Sequence, residues 1–146
     1  VREDAIDLWT APADARCVTT NGTVKPNGRA VMGRGTAKQA TERYFAVQLA
    51  LGGLLKAHGN CVQILVLPVD GRAPVVAFPV KHEWHEKASL SLIGQSAREL
   101  VALADQHGWK TVLLPRPGCG NGGLKWGEVR LVLQPILDDR FTAVTL

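Results

Sequence analysis

Short apolar runs rich in β-branched residues alternate along this chain with longer stretches whose apolar residues recur at three- and four-residue steps, and that alternation leaves few architectures open. Residues 15–20, 62–69, 74–80, 111–114 and 141–146 read as strands. The stretch 36–58 reads as one helix, with Ala37, Ala40, Tyr44, Val47, Leu51 and Leu54 on its apolar face and Gly52-Gly53 weakening its last turns. Residues 89–107 form a second helical pattern, ended by His107-Gly108, and 125–137 a third, which Pro135 should bend or shorten. Asp70-Gly71 between two apolar runs predicts a hairpin, so 62–69 and 74–80 are expected as antiparallel neighbours. Strands interleaved with helices predict an α/β fold: one mixed central sheet with helices on both faces, three layers in all.

The 146 residues carry a formal charge of +4, with 46% hydrophobic and 21% charged residues, which suits one globular domain over 1–146. The longest apolar run, 64–69, is far below the roughly 20 residues a membrane-spanning helix needs, so no membrane partner is expected. The opening segment has no cationic region leading into an apolar run, and the three cysteines, Cys17, Cys61 and Cys119, are odd in number with no CxxC pair. A reducing cytoplasm is the expected setting. The basic pI of about 9.2 comes from scattered Lys and Arg, which predicts a cationic pocket for a small polyanion and no strong binding of unmodified nucleic acid.

Two glycine-rich connections follow strands and precede helices, where ligands of α/β sheets sit. In Met32-Gly33-Arg34-Gly35-Thr36 the glycines would bare the first N–H groups of a helix as a phosphate cradle; the alternative is a plain turn. In Arg116-Pro117-Gly118-Cys119-Gly120-Asn121-Gly122-Gly123, four glycines in six residues cost conformational entropy, so something must approach that backbone closely. Together the loops suit a diphosphate. Asn21-Gly22 follows a strand directly, and the Asn21 carboxamide suits vicinal sugar hydroxyls or an Asx turn. Asp7-Leu8 pairs a carboxylate with a backbone donor, as adenine recognition needs, or is a surface acid. Lys81 ends another strand and offers a nucleophilic amine beside His82, Trp84 and Lys87. His82-Glu83-Trp84-His85 is one residue short of a zinc-protease motif, so no metal site is expected. Cys119 has no histidine placed to activate it and is expected as a packed thiol.

On Asp7-Leu8, Val31-Met32-Gly33-Arg34-Gly35, Phe78-Pro79-Val80-Lys81-His82 and Pro117 to Leu124 with Trp126, the chain resembles the macrodomain family, in the branch of the terminal ADP-ribose protein glycohydrolase and the DarG antitoxin. The resemblance implies an α/β/α cleft for ADP-ribose. Asp7 and Leu8 would meet adenine; Met32, Gly33, Arg34, Gly35 and Thr36, with Pro117, Gly118, Cys119, Gly120 and Gly122, would surround the diphosphate. Thr20, Asn21 and Asn121 would lie near the distal ribose, with Lys81 acting on its anomeric carbon and Asn121 assisting. The implied activity is removal of mono-ADP-ribose from acidic protein side chains or DNA bases, without a cofactor, by a stand-alone monomer; the alternative is a reader that binds ADP-ribose without cutting. Two departures stand out. Asn121 occupies the place of an acid in the glycohydrolase, and loop 22–29 is longer than expected, with Lys25 and Arg29 placed to reach over the pocket. With no second domain in these residues to clasp a toxin, an antitoxin role is not expected.

Overall fold

The computed structural model describes residues 1–145. Its strands are β1 (Arg2–Asp4), β2 (Ala15–Asn21), β3 (Gln63–Val66), β4 (Val75–Lys81), β5 (Val112–Pro115) and β6 (Phe141–Val144). The helices are α1 (Gly35–Arg43), α2 (Val47–His58), α3 (Leu90–His107) and α4 (Trp126–Leu133). They form one six-stranded sheet in the order β1-β6-β5-β2-β4-β3, in which only the β3–β4 pair is antiparallel. The mixed sheet and its three layers are as the sequence predicts.

The strand pleat divides the core. Successive residues of β4 point to opposite faces, and all seven are buried, as expected of a strand covered on both sides. Val76, Phe78 and Val80 pack with Cys17, Leu114 and Phe141 against α3 and α4 residues such as Ile93, Leu100, Val129 and Leu133. Val75 and Ala77 pack with Val18 and Leu65 against Ala37, Ala40, Leu51 and Leu55 of α1 and α2. A third, smaller cluster buries Leu8, Leu113 and Val144 beneath the segment leading into β2.

Helix α3 begins and ends where its sequence says. The Ser89 side chain accepts from Leu92 N, and Gly108 closes the helix in the left-handed region at φ 67°. Helix α4 stops at Leu133, two residues before Pro135. The hairpin forms around Asp70 (φ 52°) and Gly71 (φ 75°), with Arg72 N donating to Val69 O at 2.9 Å, which is a type I′ turn. β3 is shorter than its apolar run, and its ladder with β4 shifts register between Ile64 and Val66. Leu146, the last residue of the expected strand 141–146, lies outside the described residues.

Two expectations fail. The single helix 36–58 is two helices: Tyr44 is extended and Ala46 is left-handed (φ 62°), so the chain turns and α2 restarts with Val47, Leu51 and Leu55 buried in place of a face through Leu54. Gly52, expected only to weaken the helix, is required there. A Cβ on Gly52 would lie 1.9 Å from the Gly28 carbonyl oxygen, and Ala30 N donates to Gln48 O at 2.9 Å, so the tip of loop 22–30 docks directly on α2. The sequence reading also missed β1, whose Arg2, Glu3 and Asp4 are all exposed and carry no apolar signal. No described helix is long and apolar enough to cross a membrane.

The Gly52 contact yields a direct expectation. Gly52→Ala must push the 28–30 segment off α2, and the strain should lower stability by about 1–3 kcal/mol. A urea melt should show a lower midpoint; an unchanged midpoint would mean that the docking is not tight.

Candidate functional site

β2, β4 and β5 run in parallel, so their carboxyl ends reach the same edge of the sheet, and the connections leaving them enclose a cleft of about 690 Å3. Thr20 and Asn21 come to it from β2, Lys81 from β4, and Pro115 and Arg116 from the end of β5. Met32, Gly33, Arg34, Gly35 and Thr36 form one wall, and Gly118, Cys119, Asn121 and Gly122 the other. The sequence thus brings twelve of its sixteen candidate positions together: Asp7, Leu8, Pro117 and Gly120 are not in the wall.

The first wall ends in a helix start. Arg34 is the extended N-cap of α1 and makes no side-chain cap, so the first N–H groups of the helix receive none from it. Thr36 fastens that turn to the sheet, its Oγ1 accepting from Thr19 N at 3.1 Å. The α1 dipole adds roughly half a positive charge at this end. Arg34, Lys81, Lys87 and Arg116 line the cleft with Glu86 as the acidic member, so its field favours an anion.

The second wall answers why its loop needs so many small residues. Gly118 is left-handed (φ 74°), and a Cβ there would meet Ile93 and Leu124 side chains at 2.8 and 2.9 Å. The close neighbour at that position is the protein itself. A Cβ on Gly122 would likewise sit 2.9 Å from that of Ala88, whose N–H donates to Gly122 O at 2.9 Å. A Cβ on Gly120 would meet nothing within 4 Å, so that side of the residue is open. Burial pushes the Cys119 thiol above its usual range, Arg116 partly opposing it and Glu128 adding to it, and Sγ sits 3.7 Å from Pro117 O; this is a packed thiol.

Lys81 is 8% exposed and projects into the cleft, with Nζ donating to Trp84 O at 3.2 Å. Its own carbonyl accepts from Asn60 Nδ2 at 3.0 Å. The β2–β4 register slips between Thr20 and Asn21, which sets Asn21 opposite Lys81. Both halves of the Asn21 carboxamide are in use: Nδ2 donates to Val31 O at 3.0 Å and Oδ1 accepts from Thr23 N at 3.0 Å. The Asx turn is therefore real, and it ties loop 22–31 to the end of β2.

Asp7 is engaged locally, its Oδ1 accepting from Trp9 N at 2.7 Å and Thr10 N at 3.1 Å. The Trp9 N–H bond holds its carboxyl below the usual range, with desolvation opposing and Thr10 adding to it. Leu8 is buried, and its carbonyl accepts from Arg16 Nη1 at 2.7 Å. Lys25 and Arg29 do not reach over the cleft; their loop closes on itself through Lys25 N to Arg29 O and lies on α2. Sequence reasoning missed Thr19, Glu86 and Arg116 as cleft residues. Arg116 had a signal in its place at the end of β5. Its guanidinium stacks 5.0 Å over the Trp126 ring and lies 3.6 Å from Glu3, and its buried Nε has no partner among the described residues. The His82-Glu83-Trp84-His85 string is a turn, with Trp84 about half exposed at the cleft.

The Macro domain family model matches residues 67–133. A DNA ADP-ribosyl glycohydrolase of Thermus aquaticus (strain ATCC BAA-2747 / Y51MC23) is 30% identical over 138 residues, covering 90% of this chain and 36% of the relative, so the chain spans about a third of that protein's length. The macrodomain of Mycobacterium tuberculosis DarG has a TM-score of 0.79 at 25% identity, over 99% of this chain and 97% of that one. Thermosipho africanus DarTG in complex with ADP-ribose has a TM-score of 0.75 at 21% identity, over 94% of this chain and 39% of that one, which is a likeness of fold.

The role of Asn21 can be isolated. Asn21→Ala removes two part-buried hydrogen bonds and leaves the Val31 carbonyl without its donor, which should cost about 1–2 kcal/mol. Hydrogen exchange should quicken across 22–33 while α3 amides keep their protection; uniform exchange across both would refute a local anchoring role.

Proposed function

The chain is a macrodomain, and on that premise we propose that it removes ADP-ribose from a modified macromolecule, with Lys81 attacking the anomeric carbon of the distal ribose. One observation carries the reading: a buried primary amine, without a carboxylate partner within 4 Å among the described residues, opens between two glycine-rich walls on a cationic cleft. The name of the Thermus aquaticus relative, DNA ADP-ribosyl glycohydrolase, supports a modified DNA base as substrate; a modified acidic protein side chain is the other candidate.

The chemistry suits the parts. Helix-start N–H groups of α1 and the backbone of the Gly118–Gly122 wall hold the diphosphate, which fixes the distal sugar at the far end of the cleft. The Lys81 nitrogen supplies an electron pair to the anomeric carbon, forming a C–N bond as the bond to the base or carboxylate breaks. The departing group leaves with that bonding pair, and the proton lost by the amine passes to it or to solvent. Water then attacks the same carbon and restores the amine, releasing ADP-ribose. Asn121, exposed on the Gly120–Gly122 turn, can position water or a hydroxyl but has no basic group to take a proton at neutral pH. Adenine would lie toward Asp7 and Leu8, beyond the cleft wall.

Asn121 also favours a second reading, in which the domain binds ADP-ribose without cutting. Lys81→Ala separates the two. Release of ADP-ribose from thymidine-linked or glutamate-linked conjugates should fall about a thousandfold, equal to about 4 kcal/mol of barrier, while calorimetric binding of free ADP-ribose persists. Turnover retained by the variant would remove Lys81 from its role, and binding without release by the wild type across both linkages would establish the reader.

A further inference from the structure

A second cavity, of about 750 Å3, opens at the other end of α1 and β2. Its walls include Trp9, Arg16 at the start of β2, Glu42, Arg43 and Tyr44 at the end of α1, and Arg72 in the β3–β4 turn. None of these residues belongs to the cleft. We propose that this groove binds the phosphodiester backbone of single-stranded nucleic acid, as a second foothold for the strand whose modified nucleotide enters the cleft; the link to the cleft rests on the reading above.

Charge selects an anion. Among the described residues, Arg16, Arg43 and Arg72 have no carboxylate within 4 Å, so their charge is not spent in an ion pair. Arg16 spends one donor on Leu8 O and keeps the rest of its fork. Glu42, the carbonyl end of α1 and Asp7, whose carboxylate feels the Arg43 charge, subtract from the field, and three guanidiniums leave a small positive excess. Their planar forks suit phosphate oxygens better than ammonium groups do.

Rings select among anions. Trp9 and Tyr44 lie 6.2 Å apart at 48°, and the Arg43 guanidinium lies 4.8 Å from the centre of the Trp9 ring. Trp9 is fixed in place by Nε1 donating to Gln39 Oε1 at 2.8 Å. A prearranged surface of rings and guanidinium planes is what unstacked bases bind, and an acidic peptide has no use for it. Nine residues of α1 put the groove roughly 13 Å from the phosphate-facing wall. Lys38, exposed one turn beyond Arg34, adds a cation along the way.

Binding of a labelled, unmodified single-stranded oligonucleotide across a salt series tests the groove without calling on turnover. Arg43→Gln with Arg72→Gln should weaken binding about tenfold at low salt and flatten the slope of log affinity against log salt by about 1.4, or about 0.7 for each lost phosphate contact. Affinity for free ADP-ribose should not change. Arg72→Glu alone, on an exposed turn, should weaken the oligonucleotide in the same direction and guards against a folding fault from loss of the Arg43–Trp9 contact. Equal affinity and slope in wild type and variants would overturn the proposal. So would displacement of the oligonucleotide by an acidic peptide at matched charge. Lys81→Ala should leave oligonucleotide binding intact, so failure of the groove and failure of the hydrolase reading are separate results.

Discussion

Parallel pairing along β4, β2, β5 and β6 is the constraint on which everything else in the molecule rests. Parallel neighbours cannot be joined by tight turns, so the chain must cross back over the sheet between them, and helices supply the crossings. Each strand therefore delivers its connection to one common edge. The cleft is the space those connections leave, and its residues, scattered from Thr19 to Gly123, meet because the strands agree in direction.

Main-chain hydrogen bonds then stiffen that edge. His82 O accepts from Gly22 N at 3.1 Å, Val80 O from Ser89 N at 2.9 Å, and Gly122 O from Ala88 N at 2.9 Å, so the Lys81 strand end is tied both to the end of β2 and to the Gly118–Gly123 loop. Buried Ser96 adds a bond from α3 to Pro79 O at 2.7 Å. Each is worth about 1 kcal/mol, but their joint effect is positional. These bonds fix the spacing of the amine and the two walls through the main chain, which is what a site that orients a reactant needs.

Much of this was legible. α3 carried its cap, its apolar stripe and its terminal glycine in the sequence, and the two glycine-rich connections announced the cleft walls. What stayed hidden is tertiary in origin. The break at Tyr44–Ala46 and the seating of loop 22–30 on α2 have no local signal. β1 holds its place by pairing with β6 and through Glu3, which meets Arg116, Arg130 and Trp126 Nε1; its own residues are uniformly polar. The glycines of the second loop were readable as a demand for close approach, though at Gly118 the demand comes from Ile93 and Leu124. The arginines around Trp9 look scattered in sequence because positions 16, 43 and 72 converge only when α1 and the β3–β4 turn fold beside β2.

The sulfur in the second wall has a further implication. Burial raises the Cys119 thiol above its usual range, so it presents less thiolate than an exposed cysteine, and thiolate is the form that peroxide and electrophiles attack. Oxidants should therefore attack this sulfur more slowly than that of an exposed, unperturbed cysteine.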